Sequence, residues 1–185
     1  MMLRRFAMLA TVATLSFAAP ALAEDSKPII AVVNVQQVMK DSTAAKSVRE
    51  QLESKQKAFQ ADITKKEEAL KKEDQELGKQ KSVLAKEAFE EKARAFRTKA
   101  TEVQKEVQSK KAMLDSAFER SLGDIQKATT DIIADLAKEK GFLMAVPTSQ
   151  ILYADNKLDI SAEVLKRLNE KLPKVNVKFE APEKK

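Results

Sequence analysis

The chain is predicted to be mainly α-helical: one long antiparallel coiled-coil hairpin carried on a small β body. Three observations lead there. Residues 29 to 146 contain no proline and only Gly78, Gly123 and Gly141 as glycines, so roughly 100 residues rich in Ala, Lys, Glu, Gln and Leu run almost without a helix breaker. Within them apolar residues recur at spacings of three, four and seven, the narrow stripe of a coiled coil rather than the broad face of a globular-core helix. Short apolar runs rich in β-branched residues flank the helical region on both sides.

The N-terminus reads as a signal peptide over 1–23. Arg4 and Arg5 supply the positive segment, Phe6 to Ala19 the apolar one, and Ala21-Leu22-Ala23 a small-x-small cleavage site, placing cleavage after Ala23. An uncleaved membrane anchor is the alternative, but the run is short, diluted by Thr11, Thr14 and Ser16, and broken by Pro20. Cleavage leaves 162 residues, enough for one domain, and moves the formal charge from +6 to +4. The absence of cysteine excludes disulfides, a lipid-modified N-terminal Cys and thiolate metal sites. The mixed charge leans basic without indicating nucleic acid.

The hairpin is expected over 41–140. Its outgoing arm carries Val48, Leu52, Phe59, Ile63, Leu70 and Leu77; the returning arm carries Phe89, Ala93, Phe96, Ala100, Val103, Val107, Leu114, Phe118, Ile125, Ile132 and Leu136. If the chain reverses near Val83, seam residues pair where their numbers add to about 166. Leu77 then meets Phe89, Leu70 meets Phe96, Ile63 meets Val103, Phe59 meets Val107, Leu52 meets Leu114, and Val48 meets Phe118. The tip therefore belongs at 80–85. A single straight helix is disfavoured by Gly78, which costs roughly 1 kcal/mol relative to Ala, and by failure of the heptad frame past Leu84. Arms of about 60 and 80 Å would project from something smaller.

That smaller part is an expected oligomerisation body, 24–40 and 141–172. Strands are expected near 29–35, 142–147 and 151–154, with Pro147 to Gln150 as a hairpin turn between the last two. A helix over 161–172 would be capped by Ser161 and stopped by Pro173, and 173–185 would form a loose polar tail. The candidate body residues are Ile30, Val32, Val33, Val35, Leu143, Met144, Val146, Ile151, Leu152 and Tyr153. Nearly continuous apolar strands want burial on both faces, which one such chain cannot supply, so a homo-oligomer with the strands at its centre is expected.

The segments Ile30-Ala31-Val32-Val33-Asn34-Val35-Gln36 and Ala44-Ala45-Lys46-Ser47-Val48-Arg49-Glu50-Gln51-Leu52 carry a resemblance. So does the return, Leu143-Met144-Ala145-Val146 through Ile151-Leu152-Tyr153-Ala154 to Leu158-Asp159-Ile160-Ser161 and Glu163-Val164-Leu165. Together with the signal peptide they resemble the Skp/OmpH family of periplasmic chaperones, up to about residue 172. Where members often carry Ser or Thr to cap the returning helix, this chain has Ala85. The resemblance implies a jellyfish-like homotrimer whose strands form a β-barrel. Its helical tentacles would enclose a cavity for unfolded outer-membrane proteins, held without ATP or any cofactor. Contact with membrane lipid or lipopolysaccharide is a further implication, although no discrete phosphate-binding site is legible.

The candidate client-binding residues lie on the outer half and tip of the arm: Lys71, Lys72, Lys79, Lys81, Val83, Leu84, Lys86, Lys92, Arg94 and Arg97. A basic surface would steer acidic clients by weak, repeated contacts; the plainer reading is a solvated helix face laced with i,i+4 ion pairs. Gly123 is either a helix glycine beside close packing or a soft point where the arms splay. Three rivals rank lower. A periplasmic coiled-coil adaptor of an envelope assembly would be expected to carry a lipid anchor or flanking barrel domains. A nucleic-acid-binding coiled coil conflicts with export and mixed charge. An enzyme would have to work without His or Cys, and no phosphate loop or nucleophile elbow is present.

Overall fold

A computed structural model of the chain describes residues 30–180. The expected signal peptide, its cleavage after Ala23, the first residues of the expected body and the last five residues lie outside the described residues. The element order is β1 (Ile30–Val33), α1 (Val35–Asp41), α2 (Thr43–Gln80), α3 (Lys86–Lys140), β2 (Met144–Pro147) and α4 (Ser161–Lys171), with 3-10 turns at Thr148–Gln150 and Asn156–Leu158. No described helix is long and apolar enough to cross a membrane.

The long helices have 38 and 55 residues, which corresponds to about 57 and 82 Å. Polar side chains explain where α1 and α2 start. Asn34 accepts from Gln37 N–H at 3.0 Å to open α1. Buried Ser42 then interrupts the helix and caps α2 by accepting from Ala45 N–H at 3.1 Å. Asn169, far along the chain on α4, accepts from Thr43 N–H at 2.8 Å. At the tip, Val83 and Leu84 N–H both donate to the Gln80 carbonyl, and α3 begins after Ala85 with no side-chain cap. Gly141 ends α3 with φ 77°, the left-handed conformation a side chain would resist.

The register of the arms differs from the mirror expectation. Four polar pairs cross between α2 and α3: Lys92 to Gln80 (2.7 Å), Lys99 to Glu73 (2.8 Å), Lys66 to Glu106 (2.6 Å), and Lys110 to Asp62. Their residue numbers add to 172 in every case. Leu77 shares a recess with Ala95 and Phe96, two turns along from the Phe89 assigned to it. The cause is side-chain direction. Helical side chains lean toward their own N-terminus, so in antiparallel arms residues that touch lie beyond level partners on both helices.

The core sits where the arms meet the body. Val38, Ala44, Ala45, Val48, Ile125, Ile132, Leu136, Phe142, Ile160, Val164 and Leu168 form one buried cluster. Its hairpin end is built of small groups: Ser42, Ala44, Ala45, Ala117 and Ser121 are all buried, and small side chains let helices pack closely. Here the expected seam residue Phe118 is displaced outward, 42% exposed, while its neighbour Ala117 is 1% exposed.

Among the described residues the body holds two strands rather than three. β1 and β2 pair in parallel, Ile30 opposite Met144 through Val33 opposite Pro147, with the whole hairpin as their crossover. The strand expected at 151–154 does not form. Pro147 ends β2, a 3-10 turn replaces the expected hairpin turn, and among the described residues nothing covers the exposed Leu152 and Tyr153. The other side of β1 is taken later, by a bridge from Val32 to Asp159 and the bond from Ile160 N–H to the Val32 carbonyl at 2.9 Å. Ser161 is not the cap of α4 but its first helical residue. Its hydroxyl accepts from Asn34 N–H at 2.7 Å and donates to Asp159, which also accepts from Ser161 N–H at 2.8 Å.

The tail is likewise not loose where it is described. Val175 is buried, Val177 and Phe179 are half-buried, and Lys174, Asn176 and Lys178 face outward. An extended strap with period two thus lies along the base of the hairpin.

Candidate functional site

Three regions hold the chemistry: the tip, a cleft midway along the arms, and an uncovered face of the body. At the tip, Lys71, Lys72, Lys79, Lys81, Lys86, Lys92, Arg94 and Arg97 are all exposed, Leu84 is half-buried, and Val83 is 82% exposed at the apex of the turn. Lys92 reaches back to Gln80. Among the described residues, none of the eight has a carboxylate within 4.0 Å. The i,i+4 ion pairs sit elsewhere, at Glu53–Lys57, Asp62–Lys66, Glu106–Lys110 and Glu163–Arg167. From 71 to 97 these eight bases face six acids, so the tip has a net charge of +2. That supports short-range attraction of anionic partners, not a long-range field.

Midway, the arms are stapled and then part. Lys66 and Lys110 each contact both Asp62 and Glu106. The hydrogen bonds from Lys110, then Lys66, hold both carboxyls below their ordinary range and raise the two lysines. Beside this network opens a cleft of about 470 Å³ lined by Leu52, Phe59, Ile63, Val107, Leu114 and Phe118, with Gln56, Lys110 and Lys111 at its rim. Val107 and Phe118, expected inside the seam, are 41% and 42% exposed and form its walls. Of the other seam residues, Val48 and Ile63 are buried, while Leu52, Phe59, Leu70, Leu77, Phe89, Phe96, Val103 and Leu114 are half-buried. Lys55 and Lys110 each lie 5.0 Å from the Phe59 ring centroid, in cation–π range. The cleft can receive an apolar side chain beside a cation.

On the body, the expected oligomerisation residues divide. Val32 and Val33 are buried in the chain's own core, and Val35, Val146 and Ile151 are half-buried. Ile30 (43%), Met144 (57%), Leu143 (83%), Tyr153 (85%) and Leu152 (108%) are exposed. The register sets Ile30 beside Met144, and β2 has no neighbour but β1 among the described residues, so these side chains adjoin an unpaired sheet edge.

Sequence reasoning missed the clamp that sets this body on the arm. Arg167 of α4 binds Glu139 of α3 through two bonds of 2.7 Å and Glu163 at 2.8 Å, while Lys140 binds Glu163 at 2.6 Å. The i,i+4 spacing of Glu163 and Arg167 was legible; its partner across the fold was not. Gly123 lies within unbroken α3, and among the described residues a Cβ there would meet nothing within 4 Å, so no close packing within the chain accounts for this glycine.

The OmpH model, described as an outer membrane protein (OmpH-like) family, matches residues 29–168. A solved crystal structure from Caulobacter crescentus CB15, assigned as an OmpH-like outer membrane chaperone, is similar with a TM-score of 0.77 and 18% identity. It covers 92% of this chain and 98% of that one, a likeness of fold. Curated proteins give no match.

Two outcomes are expected. A carboxyl whose folded pKa is lowered stabilises the fold above its unfolded pKa, and that contribution vanishes as pH falls through the folded value. The melting temperature of Glu106→Gln should therefore lie below the parent's at pH 7, and the two should converge as pH falls from about 5 toward 3. A constant gap by circular dichroism would remove the network from the stability of the arm. Gly123→Ala should raise stability by about 0.5–1 kcal/mol, read from the urea midpoint; a loss would mean that helix curvature there requires glycine.

Proposed function

On the premise that this chain belongs to the OmpH-like family of outer membrane proteins, we propose that it is an ATP-independent periplasmic holdase for unfolded outer-membrane β-barrel proteins. In this reading residues 1–23 are the export signal, 24–40 and 141–172 the oligomerisation body, and 41–140 the tentacle. Three chains join their strands in a barrel, and their hairpins surround a cavity that shelters clients from aggregation.

The observation that carries the reading is the uncovered apolar face of the body. Short parallel strands are ordinarily covered on both faces. Here Leu143, Met144, Leu152 and Tyr153 stand in the open beside an unpaired edge. Closed symmetric association covers such a face and edge together. It also sets several long arms side by side around one axis, which is what enclosure of a chain without an energy source needs. The partners are two further copies of this chain and clients with alternating apolar residues. The unpaired bases of the tip hold anionic segments weakly, so that many contacts give a tight but releasable complex. Softness at Gly123 lets the arms adapt to clients of different size, and lipid or lipopolysaccharide contact belongs to the same basic surface. The protein works without a cofactor or a catalytic step.

Light-scattering mass of residues 24 to 185, alone and with a urea-diluted outer-membrane β-barrel protein, tests the reading. The expected result is a mass near three chains that shifts to a soluble complex with one client. An oligomer that leaves the client to aggregate would move the assignment to a coiled-coil adaptor of an envelope assembly, and a stable folded monomer would remove the barrel. Reversing Lys79, Lys81 and Lys86 together to Glu should weaken client capture at low salt by about tenfold with the mass unchanged. Unaltered capture would exclude the electrostatic contribution.

A further inference from the structure

The strap at 174–180 is held largely through its backbone. Gln51 of α2 donates to the Val175 carbonyl at 2.7 Å and accepts from the Val177 N–H at 3.2 Å. One side-chain amide thus pairs with the backbone as a neighbouring strand would. The Ser47 hydroxyl meets the N–H and the carbonyl of Val175 at 3.3 and 3.4 Å. From the other arm, Arg120 donates to the carbonyls of Lys178 (3.2 Å) and Glu180 (3.3 Å). Apolar side-chain contacts fall on alternate positions: Val175 and Val177 join the core cluster, and Phe179 lies 5.4 Å from the Lys55 ammonium; the Glu180 carboxylate adds an ion pair to Arg120 at 3.5 Å. The residues between face outward.

A groove that reads extended backbone, with apolar side chains at every second residue, describes a class of ligand. Strands of outer-membrane barrels have this alternation, apolar toward lipid and polar toward the lumen. We propose that the groove between Ser47, Gln51, Lys55 and Arg120 is a binding site for extended, alternately apolar segments, and that the chain's own strap fills it as an internal ligand. The strap keeps the groove covered when no client is present, and a client strand enters by displacing it. This deepens the holdase reading and rests on it for the identity of the natural ligand.

The test uses the full chain and a fluorescent peptide of the strap sequence, Lys-Val-Asn-Val-Lys-Phe-Glu. Val177→Ser with Phe179→Ser loosens the strap and leaves the groove intact; Phe179→Ser alone serves if the double variant does not fold by circular dichroism. Binding by polarisation should be at least about tenfold tighter to the loosened chain than to the parent, by release of the internal competitor. Adding Arg120→Ala to the loosened chain should weaken it again. A peptide with Ser at its three apolar positions should not bind. Equal binding to parent and loosened chains, or none to a folded loosened chain, overturns the proposal. The client arm separates the two readings. Clients held soluble but unable to displace the peptide would overturn the groove alone. Peptide binding with clients left to aggregate would overturn the holdase reading and leave the site standing for another extended ligand.

Discussion

Parallel pairing of β1 with β2 constrains everything else in the chain. Two parallel strands need a crossover, and here the crossover is the entire hairpin, from Val35 to Phe142. The pairing of Ile30 with Met144 can hold only if the outgoing path through α1 and α2 and the return through α3 end at the same level. α3 is longer than α2 by 17 residues, and the excess runs back beside α1 and α4 into the core. The interruption at Ser42 and the clamp of Arg167 on Glu139 and Glu163 are the local devices that make those lengths agree.

The arm is uneven in how it is held. Its base is closed by small buried residues and a continuous apolar cluster, which resists opening because its burial is nearly complete. Its middle relies on a network of half-buried ion pairs beside an open cleft, where solvent access still screens each pair. Its tip has one exposed turn without a side-chain cap. Burial thus falls from body to tip, so local opening costs least at the tip. The strap adds a second layer at the base, tying residues 175–180 across both arms.

The hairpin, its tip at 80–85 and the helical character of 41–140 were legible because breaker residues are local and periodicity needs no knowledge of the partner. The pairing register was not, since mirror symmetry about the turn ignores the lean of side chains toward each helix's N-terminus. Phe118 reads as seam by spacing alone, yet close approach at the base favours Ala117 and Ser121. The strap had a visible signal in Val175, Val177 and Phe179, alternating with polar residues after Pro173, but so short a run is easily taken for a polar tail.

By itself the sequence determined the architecture: long antiparallel helices on a small apolar body, with no His or Cys. These follow from composition and local periodicity, which act within a few residues of each position. Only the tertiary structure decided that Asp159, not residues 151–154, flanks β1. It also decided that Ser161 joins β1 to α4, and that Gln51 and Arg120 converge on the tail from different arms. Such contacts join residues more than fifty positions apart, and no local pattern specifies them. They arise when burial of the base brings distant polar groups together and each must find a partner.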